Sequence, residues 1–177
     1  MLFWHVGAST AFIRYAFRDP AMDLRFLALG AILPDVIDLP LGVALWDRFE
    51  SVRLGAHTML FAAGALMVVL IVTRRGARRK RWILIAVGAL AHLALDAMWT
   101  SPATLWWPFL GTEFTASGFA TYGEYLRDLL TNPIIWLGEV AGAGYLAYLW
   151  IRSGLGDASE RTDFLRTGRI SAPIERS

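Results

Sequence analysis

The chain contains no cysteine. Disulfides, thiolate zinc sites, iron–sulfur clusters and cysteine nucleophiles are therefore excluded, and any metal must be held through nitrogen and oxygen. Charge is scarce as well: 18% of the 177 residues are Asp, Glu, Lys or Arg, against about a quarter in a soluble domain. No Lys or Arg precedes the first apolar stretch, while Arg14 and Arg18 follow it, the reverse of a secretory signal, so this segment is expected to be retained. What abounds is apolar side chain. Hydrophobic residues make up 56% of the chain and the mean hydropathy is +0.46, the balance of a membrane protein. A pI near 9.3 would suit a nucleic-acid binder, but the basic residues flank apolar stretches, where positive charge sets topology. Nucleic acid is not expected as a partner.

Five apolar segments stand out: residues 3–18, 24–46, 55–73, 82–100 and 133–152. They predict an all-α, polytopic membrane helical bundle of four long spans plus a short N-terminal helix. The basic run RRGARRKR, residues 74–81, joins the third and fourth segments so tightly that both must end on one side, expected to be the cytoplasm. Threading the chain from there adds Arg14, Arg18, Arg25, Arg152, Arg161, Arg166, Arg169 and Arg176, so fourteen of the seventeen Lys and Arg share that side. Arg48, Arg53 and Arg127 fall on the other. The expectation is an N-terminus outside and a C-terminus in the cytoplasm. Residues 1–153 would form the membrane domain and residues 154–177 a polar, solvated tail.

Into these apolar segments the sequence sets all three histidines, His5, His57 and His92, and four carboxylates, Asp35, Asp38, Asp96 and Glu139. An ionisable group within a span costs about 2.5 to 3.5 kcal/mol on insertion scales, so it is kept for a partner or a task. The threading brings all seven to the outer half of the membrane, although none of them was used to assign it. Agreement in depth points to a metal site.

His92 and Asp96 are four apart and project from one helical face, one turn apart. They suit two ligands of one ion, or a buried hydrogen-bonded pair tying helices together. Asp35 and Asp38 are bracketed by Pro34 and Pro40, which are expected to break regular helix. A break inside a membrane lines a cavity, and two carboxylates so close suit a divalent cation; two solvated aspartates at a helix end are the alternative. Arg53, one helical turn before His57, has a planar fork matched to a phosphate or carboxylate, or else reaches to water at the interface. Glu139 follows Gly138 in the small-xxx-small pair Gly138/Gly142, which lets its helix approach neighbours closely. It is read as facing the bundle, either as a general base or as a paired structural group. Trp99, Trp106, Trp107, Phe109 and Tyr122 fit an aromatic interface belt. The long connector that follows residue 100 lies over the site as a lid or ledge.

These stretches resemble the YdjM-like family of bacterial inner-membrane proteins, described as membrane-bound metal-dependent hydrolases. The matching segments are LPDVIDLP (33–40), RLGAHT (53–58) and AHLALDAMWTSPATLWWPF (91–109), with His5 near the start. The resemblance implies a hydrolase of the bacterial inner membrane using one or two divalent ions, with His5, Asp35, Asp38, His57, His92 and Asp96 as the inherited polar positions. The chain departs from the pattern at Val52, where the family often carries a histidine before the arginine.

Three imidazoles and three or four carboxylates exceed the ligand set of one catalytic zinc, so a paired site is expected. Zinc or manganese suits the mixed nitrogen and oxygen donors. The expected reaction is hydrolysis of an ester or phosphoester in a membrane lipid or lipid-linked substrate, because the site opens at headgroup depth. Glu139 or Asp38 would be the general base, and Arg53 would hold the phosphate. The alternative is a non-catalytic membrane subunit of a larger assembly, with membrane-protein partners, in which the cluster is a structural metal site or a polar helix clamp. An ion pathway needs polar groups at several depths and ranks last.

Overall fold

Every regular element among the described residues, 1–173 of this computed structural model, is helical. In chain order they are α1 (Leu2–Phe17), α2 (Leu24–Ala44), α3 (Trp46–Phe49), α4 (Met59–Val72), α5 (Ala77–Leu95), α6 (Pro102–Leu105), α7 (Tyr122–Thr131), α8 (Pro133–Arg152) and α9 (Ala158–Thr167). The starts follow helix chemistry. Asp23, Thr58, Thr121 and Asn132 each cap a helix by accepting from a backbone N–H two or three residues on, and Pro133 occupies the first turn of α8.

Among the described residues two helices, α2 and α8, are long and apolar enough to cross a bilayer, where four long spans were expected. α4 is strongly apolar but has 14 residues, about 21 Å of helix against a hydrocarbon core of about 30 Å. The first residues of that segment are spent in the 3-10 turn Gly55–His57. α5 has the length, 19 residues, but opens with ARRKR. The expected helix break is also absent, because α2 runs through both Pro34 and Pro40. The lost N–H bonds are local, and the extensive packing of α2 on α5 offsets them.

That packing is close because of glycine. A Cβ on Gly30 would strike the Ile85 carbonyl, and one on Gly88 the Leu27 carbonyl. Gly7 and Gly142 bring α1 and α8 together in the same way. The two helix pairs join through α1 on α2, and α4 covers α5. Between α4 and α5 lies a core of Ala62, Ala89, Leu93, Met98 and Leu105. Large apolar side chains face outward instead, with Ile71, Ile134 and Ile151 all more than 70% exposed, as on helices surrounded by lipid.

Two further segments carry helix not assigned from the sequence. Residues 154–173, expected within a solvated tail, include α9 and return to the bundle, where the Gly168 carbonyl accepts from Leu24 N–H at 2.8 Å. The buried guanidinium of Arg14 needs acceptors, and the Ala172 carbonyl supplies one at 2.8 Å. Residues 174–177, Arg176 among them, lie outside the described residues. The connector after residue 100 contains α6 and α7, and is pinned where Thr115 N–H donates to Thr104 Oγ1 and Ser117 N–H to the Glu50 carbonyl, each at 2.8 Å.

Candidate metal centre

Four pieces of chain deliver the polar cluster: α1 brings His5, α2 brings Asp35 and Asp38, the segment before α4 brings Arg53 and His57, and the end of α5 brings His92 and Asp96. Asp96 closes α5, its N–H bonded to the His92 carbonyl at 2.9 Å, and Ala97 then turns the chain away with a left-handed φ of 50°. All three imidazoles are buried.

The hydrogen bonds behind the rings decide what the rings present. His92 Nδ1 lies 2.7 Å from the Ala31 carbonyl, which can only accept. Nδ1 therefore carries the proton and Nε2 a lone pair. His57 Nδ1 lies 2.8 Å from Asp38 Oδ2, which fixes the same tautomer. The two Nε2 atoms face each other at 3.1 Å, and Asp35 Oδ1 stands 3.4 Å from His57 Nε2 and 3.6 Å from His92 Nε2. Ligands of a tetrahedral zinc, about 2.0–2.1 Å from the metal, lie about 3.3–3.4 Å from one another. The triangle of His57, His92 and Asp35 fits that spacing. Asp96 Oδ2 stands just outside, 3.7 and 4.0 Å from the same nitrogens.

His5 is held differently. Its Nε2 is 2.9 Å from Asp96 Oδ1, its Nδ1 meets the Met1 carbonyl, and its ring stacks on His92 with centroids 4.0 Å apart. It could join His92 and Asp96 as a second ligand group, but only by exchanging one of those bonds. His92 has one free nitrogen, so the two groups cannot both use it.

Two expected site residues have other occupations. Asp38, expected as a ligand or general base, accepts from His57 Nδ1 and from the backbone N–H groups of Leu54, Ala56 and His57 at 2.8–3.1 Å. It faces the turn Gly55–His57 and lies behind the imidazole, orienting the ring and shaping the turn. Glu139, expected as a general base, accepts from Phe3 and Trp4 N–H at 3.0 and 3.3 Å. The Gly138/Gly142 pair does press α8 against its neighbour, but the carboxylate then meets the unpaired N–H groups opening α1. Arg53 does not share a helix with His57, because only the three residues Gly55–His57 are helical there. It still reaches the cluster, with Nε 2.8 Å from Asp96 Oδ2.

Above the cluster lies a polar cavity of about 300 Å³, floored by His5, Asp35, Arg53 and Asp96 and bounded by residues 115–117, Phe119, Tyr125 and Asp128. Val52, at the departing family position, also lines it. Tyr125 and Asp128 were missed in the sequence, although their i, i+3 spacing marks one face of α7. Burial pushes the Tyr125 phenol up from its ordinary value, so it is a neutral hydrogen-bond donor over the cavity.

An all-helical chain with an apolar exterior and a buried His/Asp cluster beneath a polar cavity defines a membrane protein with a candidate metal centre. The chain belongs to the YdjM inner membrane protein family, whose model matches residues 3–155 and so spans every residue of the cluster. Comparison with curated proteins and with solved structures gives no match.

Proposed function

We propose that this protein is a membrane-bound, metal-dependent hydrolase acting on an ester or phosphoester of a lipid-linked substrate at the outer half of the membrane. The observation that carries this reading is the convergence of His57 Nε2, His92 Nε2 and Asp35 Oδ1, with both imidazole lone pairs unspent, beside a polar cavity that Asp35 itself lines. A divalent ion held by these three residues, zinc or manganese by donor type, would supply Lewis acidity toward a substrate oxygen and make water a nucleophile at neutral pH.

The chain's own residues divide the remaining work. Asp38 keeps the His57 proton on Nδ1, away from the centre. His5 and Arg53 hold Asp96 from its two oxygens. Arg53 meets Asp96 through Nε, and its other N–H groups have no partner among the described residues, so they are available to a phosphate or carboxylate. Asp38 and Glu139 are committed elsewhere, and Asp96, the one of the three that lines the cavity, would have to exchange His5 or Arg53 before accepting a proton. One ion needs no rearrangement of these residues, whereas a second would require His5 to release a partner.

The same reading keeps α1, α2, α4, α5 and α8 in the membrane as one domain, residues 1–153, with the N-terminus outside and α9 in the cytoplasm. A cysteine introduced at Gly76 is the chain's only thiol, and in intact cells it is expected to resist a membrane-impermeant thiol reagent. Ready labelling would reverse the orientation.

Wild-type protein supplied with zinc or manganese is expected to hydrolyse a phospholipid or lipid phosphate. His92→Ala, inserted normally, should lose at least about 100-fold in turnover, since changes behind the ligands alone cost 10–100-fold. Undiminished turnover in that variant refutes the site. A second reading, a non-catalytic subunit, draws on the same contacts: His5 and Arg53 on Asp96 tie α1, α5 and the segment before α4 into a polar clamp. It predicts that His92→Ala lowers thermal stability and that the wild type turns over no ester.

A further inference from the structure

Beside the polar cavity runs an apolar groove of about 470 Å³ between α1, α5 and α8, walled by Trp4, Ala8 and Phe12, by Ala94, and by Ala141 and Tyr145. The small residues there make width rather than helix contact. α1 and α8 already meet through Gly7 and Gly142, while Ala94 and Ala141 remain exposed.

Groove and cavity meet on the same rungs of two helices. On α1, Trp4 lines the groove and His5 the cavity; on α5, Leu95 lines the groove and Asp96 the cavity. The His5–Asp96 hydrogen bond, 2.9 Å long, thus stands where the two adjoin. Ser9 is part of the groove wall, is 1% exposed, and has a hydroxyl with no hydrogen-bond partner among the described residues. A helical serine often bonds back to the carbonyl four residues earlier; this one does not. It lies one turn below His5 on the same face of α1, about 6 Å along the axis.

We infer that the groove seats an acyl chain of the substrate, which is therefore an acylated lipid with its scissile group in the polar cavity and an ester carbonyl accepting from Ser9. This rests on the hydrolase reading for what occupies the cavity. A lipid is polar at one end and apolar along the rest, as are the two adjoining cavities. A partner helix fits less well, because its carbonyls are spent in its own ladder and leave Ser9 unmatched.

The test uses the full chain in phospholipid nanodiscs containing phosphatidylethanolamine with a photoactivatable diazirine on its acyl chain, and maps cross-links by mass spectrometry. Cross-links are expected to concentrate at residues 4–12, 91–95 and 141–145, well above those at the outward-facing Ile71 and Ile151. Ala8→Phe and Ala94→Phe should each lower groove labelling about tenfold, the effect of displacing roughly two methylenes of contact, while bound metal stays at the wild-type level. Groove labelling no higher than at Ile71 overturns the inference. So does a groove covered by a second copy of the chain, seen as a dimer that Ala94→Phe dissociates. A short-chain, water-soluble phosphoester separates the two readings. If wild type and Ala94→Phe hydrolyse it equally and groove labelling fails, the hydrolase stands and the acyl site falls. If no ester is hydrolysed but the groove is labelled and blocked as described, the acyl site stands and the hydrolase falls.

Discussion

The two ends of the bundle use the same residue types to opposite effect. Where α2 and α5 begin, Asp23 is met by Arg25 at 2.7 Å and by Arg81 at 3.1 Å, and also caps α2. Twelve residues on, about 18 Å along the helix, the Met1 ammonium stands 3.7 Å from Asp35 Oδ2, but no Arg or Lys among the described residues meets Asp35. Two imidazole nitrogens turn their lone pairs toward it instead. A carboxylate matched by cations on every side holds structure together. One whose second oxygen faces lone pairs has room there for a further cation.

The contrast can be broken from either end. The larger effect is expected at Asp38→Asn, which leaves every proposed ligand in place but weakens the hold on the His57 ring. Metal affinity, measured by competition with a chelator, should fall about 10–100-fold. An unchanged affinity would mean that Asp38 serves only the turn Gly55–His57. Asp23→Asn should have the smaller effect: thermal unfolding in detergent should show a loss of about 1 kcal/mol, the usual cost of a cap and a partly exposed ion pair, with metal affinity unaltered. If it weakened metal binding as much as Asp38→Asn, the two ends would not be functionally distinct.

Much of the centre was legible in the sequence, because charge inside apolar segments is costly and the basic residues alone order the segments. That reasoning placed His5, Asp35, His57, His92 and Asp96 at one depth, and the structure brings these five together. It could not separate Asp35 from its neighbour Asp38. Which of the two faces the imidazole lone pairs depends on the path of residues 51–57, which is set by tertiary contacts. For Glu139 the glycine spacing revealed the close helix approach, but not that the opening turn of α1 was the neighbour, so the general base and the paired structural group both stayed open. The bundle was less legible than the site. Hydropathy counted Gly55–His57 into a span although these residues form a separate turn, and proline rules gave no weight to the packing that carries α2 through Pro34 and Pro40. Nor did the polar composition of the tail reveal that Arg14 would draw it back.

The most direct test of the metal centre is elemental mass spectrometry of detergent-purified protein, wild type beside Asp35→Asn/His92→Ala, after metal loading and dialysis. One equivalent of zinc or manganese in the wild type and none in an equally folded double variant is the predicted result. A wild type that stays metal-free after metal is offered back, or a double variant that retains it in full, would contradict the account.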